Sequence, residues 1–299
     1  MTFFKRVKLI TVFSVFSSLI FAGGVFAEEI SSPVLISAAP DAKTILSQGI
    51  DKTFSSKFNY YVNFKFNRAG TLSKDLDSSF NLKDLSFVAS GYADFSDANK
   101  LNLTYSTSSC NYRVNTGERV YLTLDGKIVN NDFYTKFTVA ANPKKYVSQD
   151  IRSLAGKWLQ PKQGDGVYDL VSNVITLNQV SDMYHGAKEG EAAFLDSIDA
   201  KIVKKEKIDG VESYLVNITF DKEKSKSLFQ GNVSGYNLLL ADSSFKVWIG
   251  VNDSVIRKAT FSSSKWTGKE KDTLSINYSA KNIGKVSEVK APVTVYKGK

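Results

Sequence analysis

From Tyr60 almost to its end the chain returns, run after run, to an alternation of apolar and polar residues with a period of two. Tyr60, Val62, Phe64 and Phe66 alternate with Tyr61, Asn63, Lys65 and Asn67. Leu85, Phe87, Ala89, Gly91, Ala93 and Phe95 alternate with mostly small polar residues, and Leu101, Leu103 and Tyr105 with Asn102, Thr104 and Ser106. Val120, Leu122 and Leu124 continue the pattern, as do Phe133, Phe137 and Val139. Beyond residue 200 it resumes in Tyr214, Val216, Ile218 and Phe220, then in Phe245, Val247, Ile249 and Val251, and again in Leu274, Ile276 and Tyr278. Side chains of a strand point alternately to its two faces, so this spacing gathers the apolar residues of each run on one side. Such one-sided strands belong to antiparallel sheets; the strands of a parallel sheet, buried on both faces, read as continuous apolar runs instead. Asp125-Gly126, Asp209-Gly210 and Asn252-Asp253 are read as the turns between paired runs.

Two stretches carry a helical period. Asp41 stands where a helix cap belongs, and Leu46, Ile50, Phe54 and Phe58 follow at a spacing of four with Ile45 beside them, a helix of about four turns. Residues 146–200 read as mainly helical, with Val180, Met183, Tyr184, Ala187, Phe194, Leu195 and Ile198 on one stripe that Gly186 and Gly190 interrupt. A short Lys/Ser-rich helix is expected near 222–230 and a last strand at Val293–Tyr296, behind Pro292. The helical insert has no Pro/Gly/Ser linker, and its apolar stripe needs a surface to cover, so the strands on either side of it are assigned to one sheet. About ten strands in one twisted sheet curl. The fold class expected is α+β, a curved antiparallel half-barrel of about ten strands with helices on its concave face.

The N-terminus fixes an address. Lys5, Arg6 and Lys8 precede an apolar run from Leu9 to Phe26, and Val25-Phe26-Ala27 offers a small-x-small site just before Glu28-Glu29. This is the layout of a secretory signal peptide over 1–27, cleaved after Ala27; an uncleaved anchor is the alternative. Residues 28–42, with two prolines and small polar residues, read as a flexible linker, and 43–299 as a single domain. The mature chain is expected to be exported to the periplasm or the cell exterior. The formal net charge is +9 before cleavage, a balance that serves solubility and permits weak contact with an anionic membrane surface. The single cysteine, Cys110, forms no intrachain disulfide and reads as a packed small hydrophobe.

Catalytic signatures are thin. The single histidine, His185, has no Cys or His partner at metal-ligand spacing, so no metal or cofactor is expected. The paired acids Asp94/Asp97 and Asp196/Asp199 fit turns and helix ends better than general acid/base work. Lys57–Arg68 interleaves basic and aromatic residues, but an alternating strand explains it fully, and no nucleic acid is expected as a partner. The chain reads as a non-enzyme.

Local stretches resemble the LolA/LppX-like lipoprotein-carrier superfamily. They are Ala155-Gly156-Lys157-Trp158 with Leu159-Gln160-Pro161, similar to a strand segment ahead of that family's mid-chain helices; Ile208-Asp209-Gly210 followed by Tyr214-Leu215-Val216; Lys246-Val247-Trp248-Ile249 followed by Val255-Ile256-Arg257-Lys258-Ala259; and Pro292 near the end. The resemblance spans about 43–296 and is firmest over 150–296. It implies a curved half-barrel capped by helices, whose apolar interior holds acyl chains of a lipoprotein or lipid. Two departures stand out: no lipobox cysteine lies at the cleavage site, and the chain is longer than a typical carrier.

The expected function is therefore an exported amphiphile binder that acts as a monomer, its partner a lipid or lipoprotein acyl chain. The expected lining is Phe64, Phe66, Phe87, Phe137, Val216, Ile218 and Val247 from the strands, closed by Leu46, Ile50, Phe54, Met183 and Phe194 from the helices. The same residues equally suit a solid core, which leaves open a cell-surface interaction module with a filled interior.

Overall fold

The computed structural model describes residues 40–67, 82–97, 100–114, 119–130, 132–140, 153–160, 191–221, 223–224, 242–264, 273–285 and 288–296. The expected signal peptide, most of the linker, Met183, His185, most of the helical insert and the helix near 222–230 lie outside them.

Helix α1 spans Ala42–Thr53. Asp41 caps it as the sequence predicts: its backbone is extended, and its carboxylate accepts from the amide and the hydroxyl of Thr44, each at 2.8 Å. These bonds hold the Asp41 carboxyl below its ordinary pKa. The helix stops a turn earlier than expected. Ser55 donates its hydroxyl to the Asp51 carbonyl at 2.9 Å, drawing on the orphan carbonyls of the last turn. Phe58 is consequently buried from strand β1 rather than from the helix.

Among the described residues ten strands follow: β1 Lys57–Asn67, β2 Leu82–Asp94, β3 Asn102–Val114, β4 Arg119–Val129, β5 Asp132–Ala140, β6 Ile198–Ile208, β7 Val211–Phe220, β8 Asp242–Gly250, β9 Ile256–Ser264 and β10 Thr273–Lys281. A helix, α2, described over 191–196, leads into β6. The strands form one open sheet in the order β5-β4-β3-β2-β1-β10-β9-β8-β7-β6, every neighbouring pair antiparallel. The chain starts at the centre, meanders to one edge, crosses to the opposite edge and meanders back, so that β1 and β10 meet along a central seam. This is the α+β half-barrel, and the strands before and after the insert share one sheet.

Several local expectations are corrected. Ile198 opens β6 instead of ending a helix, because Ser197 is buried and bonds the Phe194 carbonyl at 2.7 Å, closing α2. Asp125-Gly126 is no turn; it lies inside β4, and the hairpin reverses at Asn130, whose φ is 50°, with Val129 facing Asp132. The glycine is required for another reason. Gly126 faces Tyr105 of β3, and a Cβ there would stand 1.9 Å from the tyrosine ring. Asp209-Gly210 does turn, both residues at positive φ and Ile208 facing Val211, as a two-residue hairpin of this twist requires. The reversal around Asn252-Asp253 holds, with the Asp253 carboxylate accepting from the Val255 amide at 3.2 Å and pairing with Arg257.

The two sheet edges are treated differently. Along β5, Thr135 exchanges both backbone bonds with Leu159 and the Phe137 carbonyl accepts from the Gly156 amide, so residues 154–159 cover its outward groups. The Ala155–Trp158 segment is thus a turn, with Gly156 at φ 79°, leading to the isolated bridge residue Leu159 rather than a strand. Edge strand β6 instead carries Lys201, Lys204, Lys205 and Lys207 and a register shift at Ile202/Lys204, devices that discourage further strand pairing. The tail forms no strand: Val293 is exposed, and Tyr296 makes one parallel bridge to Leu159. Pro292 has no amide to donate; the Tyr296 amide donates to the Trp158 carbonyl at 2.8 Å, and ahead of it the tail is held through carbonyls. Glu288 accepts from the Tyr92 hydroxyl and Lys290 from the Lys127 ammonium, at 3.3 and 3.0 Å. Tyr92 and Lys127 both point away from the apolar layer, so the tail straps the outer face.

Candidate functional site

The inner face of the sheet is one apolar surface. Register sets it: Phe64 faces Phe87 on β2 and Ile276 on β10, while Val247 faces Val216 and Ala259. Side chains opposite one another in adjacent strands share a face, so the alternation read from the sequence becomes a continuous layer across both meanders. Phe64 and Phe87 stack with centroids 5.0 Å apart. Phe194 of α2 meets Phe220 edge-on at 6.3 Å, Phe220 stacks on Phe245, and Phe245 meets Phe261 at 6.1 Å.

Helix α1 lies on β6, β8 and β9. Gly49 is its point of closest approach, where a Cβ would come 3.0 Å from Ile249. Thr53 fixes its depth: the hydroxyl donates to the Gly49 carbonyl at 2.6 Å and accepts from the Ile256 amide at 2.9 Å. Lys43 donates to the Leu195 carbonyl at 2.7 Å, joining α1 to α2. At the helix end Phe54 packs on Phe95, just beyond β2, with centroids 5.5 Å apart.

Of the residues expected to line the interior, Leu46, Ile50, Phe54, Phe64, Phe66, Phe87, Phe137, Phe194, Val216, Ile218 and Val247 are all buried in this single cluster. Met183 lies outside the described residues. Ile198, Phe220, Phe245, Ile249, Phe261, Leu274 and Ile276 belong to the same cluster. Phe220, Phe245, Ile249, Leu274 and Ile276 stand two residues from expected ones or opposite them, and the alternation marks them equally well; Ile198 faces Phe220, and Phe261 faces Phe245 and Ile276.

Among the described residues of the inner face, three tyrosines had no place in the expected lining. Tyr60, Tyr105 and Tyr278 have their hydroxyls enclosed, and burial raises the pKa of all three, keeping the phenols neutral. Tyr60 donates to the Thr104 carbonyl at 2.7 Å. Their signal was present: each sits on the apolar phase of an alternating run.

The outer face is polar and paired. Trp248 of β8 is buried there beside Leu215, donates its indole N–H to Glu206 and lies under the Lys258 ammonium, 4.6 Å from the ring. Hydrogen bonds from Lys204 and Trp248 hold the Glu206 carboxyl below its ordinary pKa. Near the covered edge Lys127 and Lys136 both lie over Trp158, at 5.3 and 5.1 Å. Among the described residues no group of three or more His, Cys, Asp or Glu side chains is placed to hold a metal ion, and no helix is long and apolar enough to cross a membrane.

No protein-family model and no curated protein matches the chain. Among solved structures it is similar to the lipoprotein LppX of Mycobacterium tuberculosis, with 13% identity, a TM-score of 0.36 and coverage of 85% of this chain and 100% of that one. It is similar to LprF of Mycobacterium bovis at 14% identity and a TM-score of 0.37, covering 86% of this chain and 96% of the other. A LolA superfamily protein of Nitrosomonas europaea follows at 10% identity and a TM-score of 0.22, covering 85% and 96%. The half-barrel rests on the strand order and register of this chain.

Proposed function

We propose that the chain is an exported, non-enzymatic binder of amphiphiles, a carrier that holds acyl chains between the inner face of its sheet and its helices. The observation that carries this reading is the convergence of strands from both meanders and of both helices on one apolar cluster, with its polar residues almost wholly on the other side. Burial of a hydrocarbon is worth ~0.8 kcal/mol per methylene, so a chain of roughly sixteen carbons offers ~12 kcal/mol against the ~8 kcal/mol of micromolar affinity, leaving room for ordering costs without any catalytic group. Cleavage after Ala27, a tether over 28–42 and one domain over 43–299 complete the proposal. The product is a diffusible monomer of the periplasm or cell exterior, with weak affinity for anionic membranes.

Native mass spectrometry of the exported protein after gentle purification tests it. A co-purifying lipid mass, and binding of fluorescent fatty acids or esters afterwards, is the expected result; neither appearing would overturn it. The second reading is a surface interaction module with a filled core. The direct stacking of Phe64 on Phe87 and of Phe220 on Phe245 favours it, and a lipid-free mass under the same conditions would establish it.

A further inference from the structure

The enclosed tyrosines sit where a purely structural apolar layer has no use for them. Tyr60 of β1 faces Gly91 of β2, and Tyr105 of β3 faces Gly126 of β4, whose missing side chain leaves room for the ring. Tyr278 of β10 stands between Val62 and Ala259. The hydroxyl of Tyr60 is satisfied by the Thr104 carbonyl. Those of Tyr105 and Tyr278 make no well-formed hydrogen bond among the described residues, although the two side chains are only 7% and 4% exposed; the Thr135 hydroxyl, which donates to the Asp125 carbonyl at 3.3 Å, is the one group that approaches that of Tyr105. An enclosed hydroxyl without a partner is costly, and replacing it by the corresponding phenylalanine removes the cost. Register brings the three together: Tyr278 faces Val62, two residues from Tyr60, and the Tyr60 hydroxyl reaches the carbonyl of Thr104, the residue before Tyr105. Among the described residues no lysine, arginine or histidine is buried, and the Asp125 carboxylate, next to Gly126 but on the outer face, is paired with Lys136 at 3.0 Å.

From this placement we infer that Tyr105 and Tyr278 donate hydrogen bonds to an uncharged carbonyl or ester oxygen of the bound amphiphile, with Tyr60 anchored beside them. The inference rests on the amphiphile-binding reading above and names the class of head group. A neutral phenol is a donor, which an ester oxygen satisfies. A free carboxylate brings a charge onto an apolar face where, among the described residues, no cation is buried to meet it. The preferred ligand is therefore an acyl ester rather than a fatty acid.

Four probes of one chain length decide the matter: methyl palmitate, monopalmitoyl glycerol, palmitate and hexadecane, each measured by competition against a fluorescent acyl probe on the full exported protein. The wild type is expected to bind the two esters more tightly than palmitate. Tyr105→Phe and Tyr278→Phe are each expected to weaken the esters roughly three- to tenfold, the value of one hydrogen bond, and to leave hexadecane unchanged. Urea midpoints of both variants stay level or rise. The carbonyl stretch of carbon-13-labelled methyl palmitate, lowered in frequency when bound to the wild type, returns upward in the variants. If the variants bind the esters as the wild type does, or if palmitate binds more tightly than its ester, the inference falls while acyl binding stands. If no probe binds the wild type, both readings fall.

Discussion

Alkaline pH strikes the inner face of the sheet directly, because its three enclosed tyrosines resist ionisation. Their ordinary pKa is 10.0, and burial, first among the causes for each, raises all three well above it. The unfolded chain releases these protons near pH 10 while the folded chain keeps them. Stability is therefore fully present below about pH 10 and is lost as the pH rises through the folded values. The loss is ~1.4 kcal/mol per group for each pH unit above the unfolded pKa, so three groups cost about 4 kcal/mol at about pH 11. That is a large part of the stability of an ordinary domain, about 5–15 kcal/mol. Tyr92 and Tyr134, raised chiefly by lesser burial, act in the same direction. Urea unfolding followed by tryptophan fluorescence at about pH 9 and about pH 11 measures the difference, and tyrosinate absorbance shows when each population titrates. Tyr105→Phe and Tyr278→Phe should each remove about one third of the loss. Equal midpoints at the two pH values, or full titration of the native protein before it unfolds, would refute the argument.

Other perturbations address the packing. Thr53→Val keeps the shape but strips the acceptor from the buried Ile256 amide, and urea midpoints should fall by about 1–3 kcal/mol. Leu46→Ala, at a position 1% exposed, should cost about 2–5 kcal/mol in the same assay, with thermal melting as a check. Gly126→Val forces the ring of Tyr105 off β4; a loss of about 1–3 kcal/mol is expected, and the single variant Tyr105→Ala should make the second change nearly free in a double-mutant cycle. Ending the chain after residue 287 removes Val289 and the carbonyls that hold Tyr92 and Lys127, and hydrogen exchange should quicken in β4 and β5 while β7 and β8 stay protected.

The sheet was legible because its signal is local and repeated: alternation in β1, β7, β8 and β10 names the inward residue at every step, and register across the sheet only confirms what each strand says alone. The cap at Asp41 and the turn at Asp209-Gly210 were legible for the same reason. Asp125-Gly126 misled because the glycine answers to a residue on another strand, Tyr105, which no window around 125 contains. Phe58 misled because it keeps a helical spacing from Phe54 while starting a strand, and two serines between them decide the matter. The insert's stripe ran one residue too far into β6, since Ile198 suits either period. The tyrosine trio was written into the alternation and passed over, because an aromatic on the apolar phase reads first as bulk and only its enclosed oxygen makes it chemistry.

The central seam has a consequence for how the molecule comes into being. Asn59 pairs with Lys281, and the whole register of β1 against β10 joins the beginning of the domain to its end. Until the last strand has been made, β1 is a bare edge in the middle of the future sheet, and each meander holds only half of the apolar layer. Contacts between such distant parts of a sequence form late, since the closure of a long loop precedes any return from it. A half-made chain is therefore held open by its own topology, and completion of the sheet waits on the final strand to leave the ribosome.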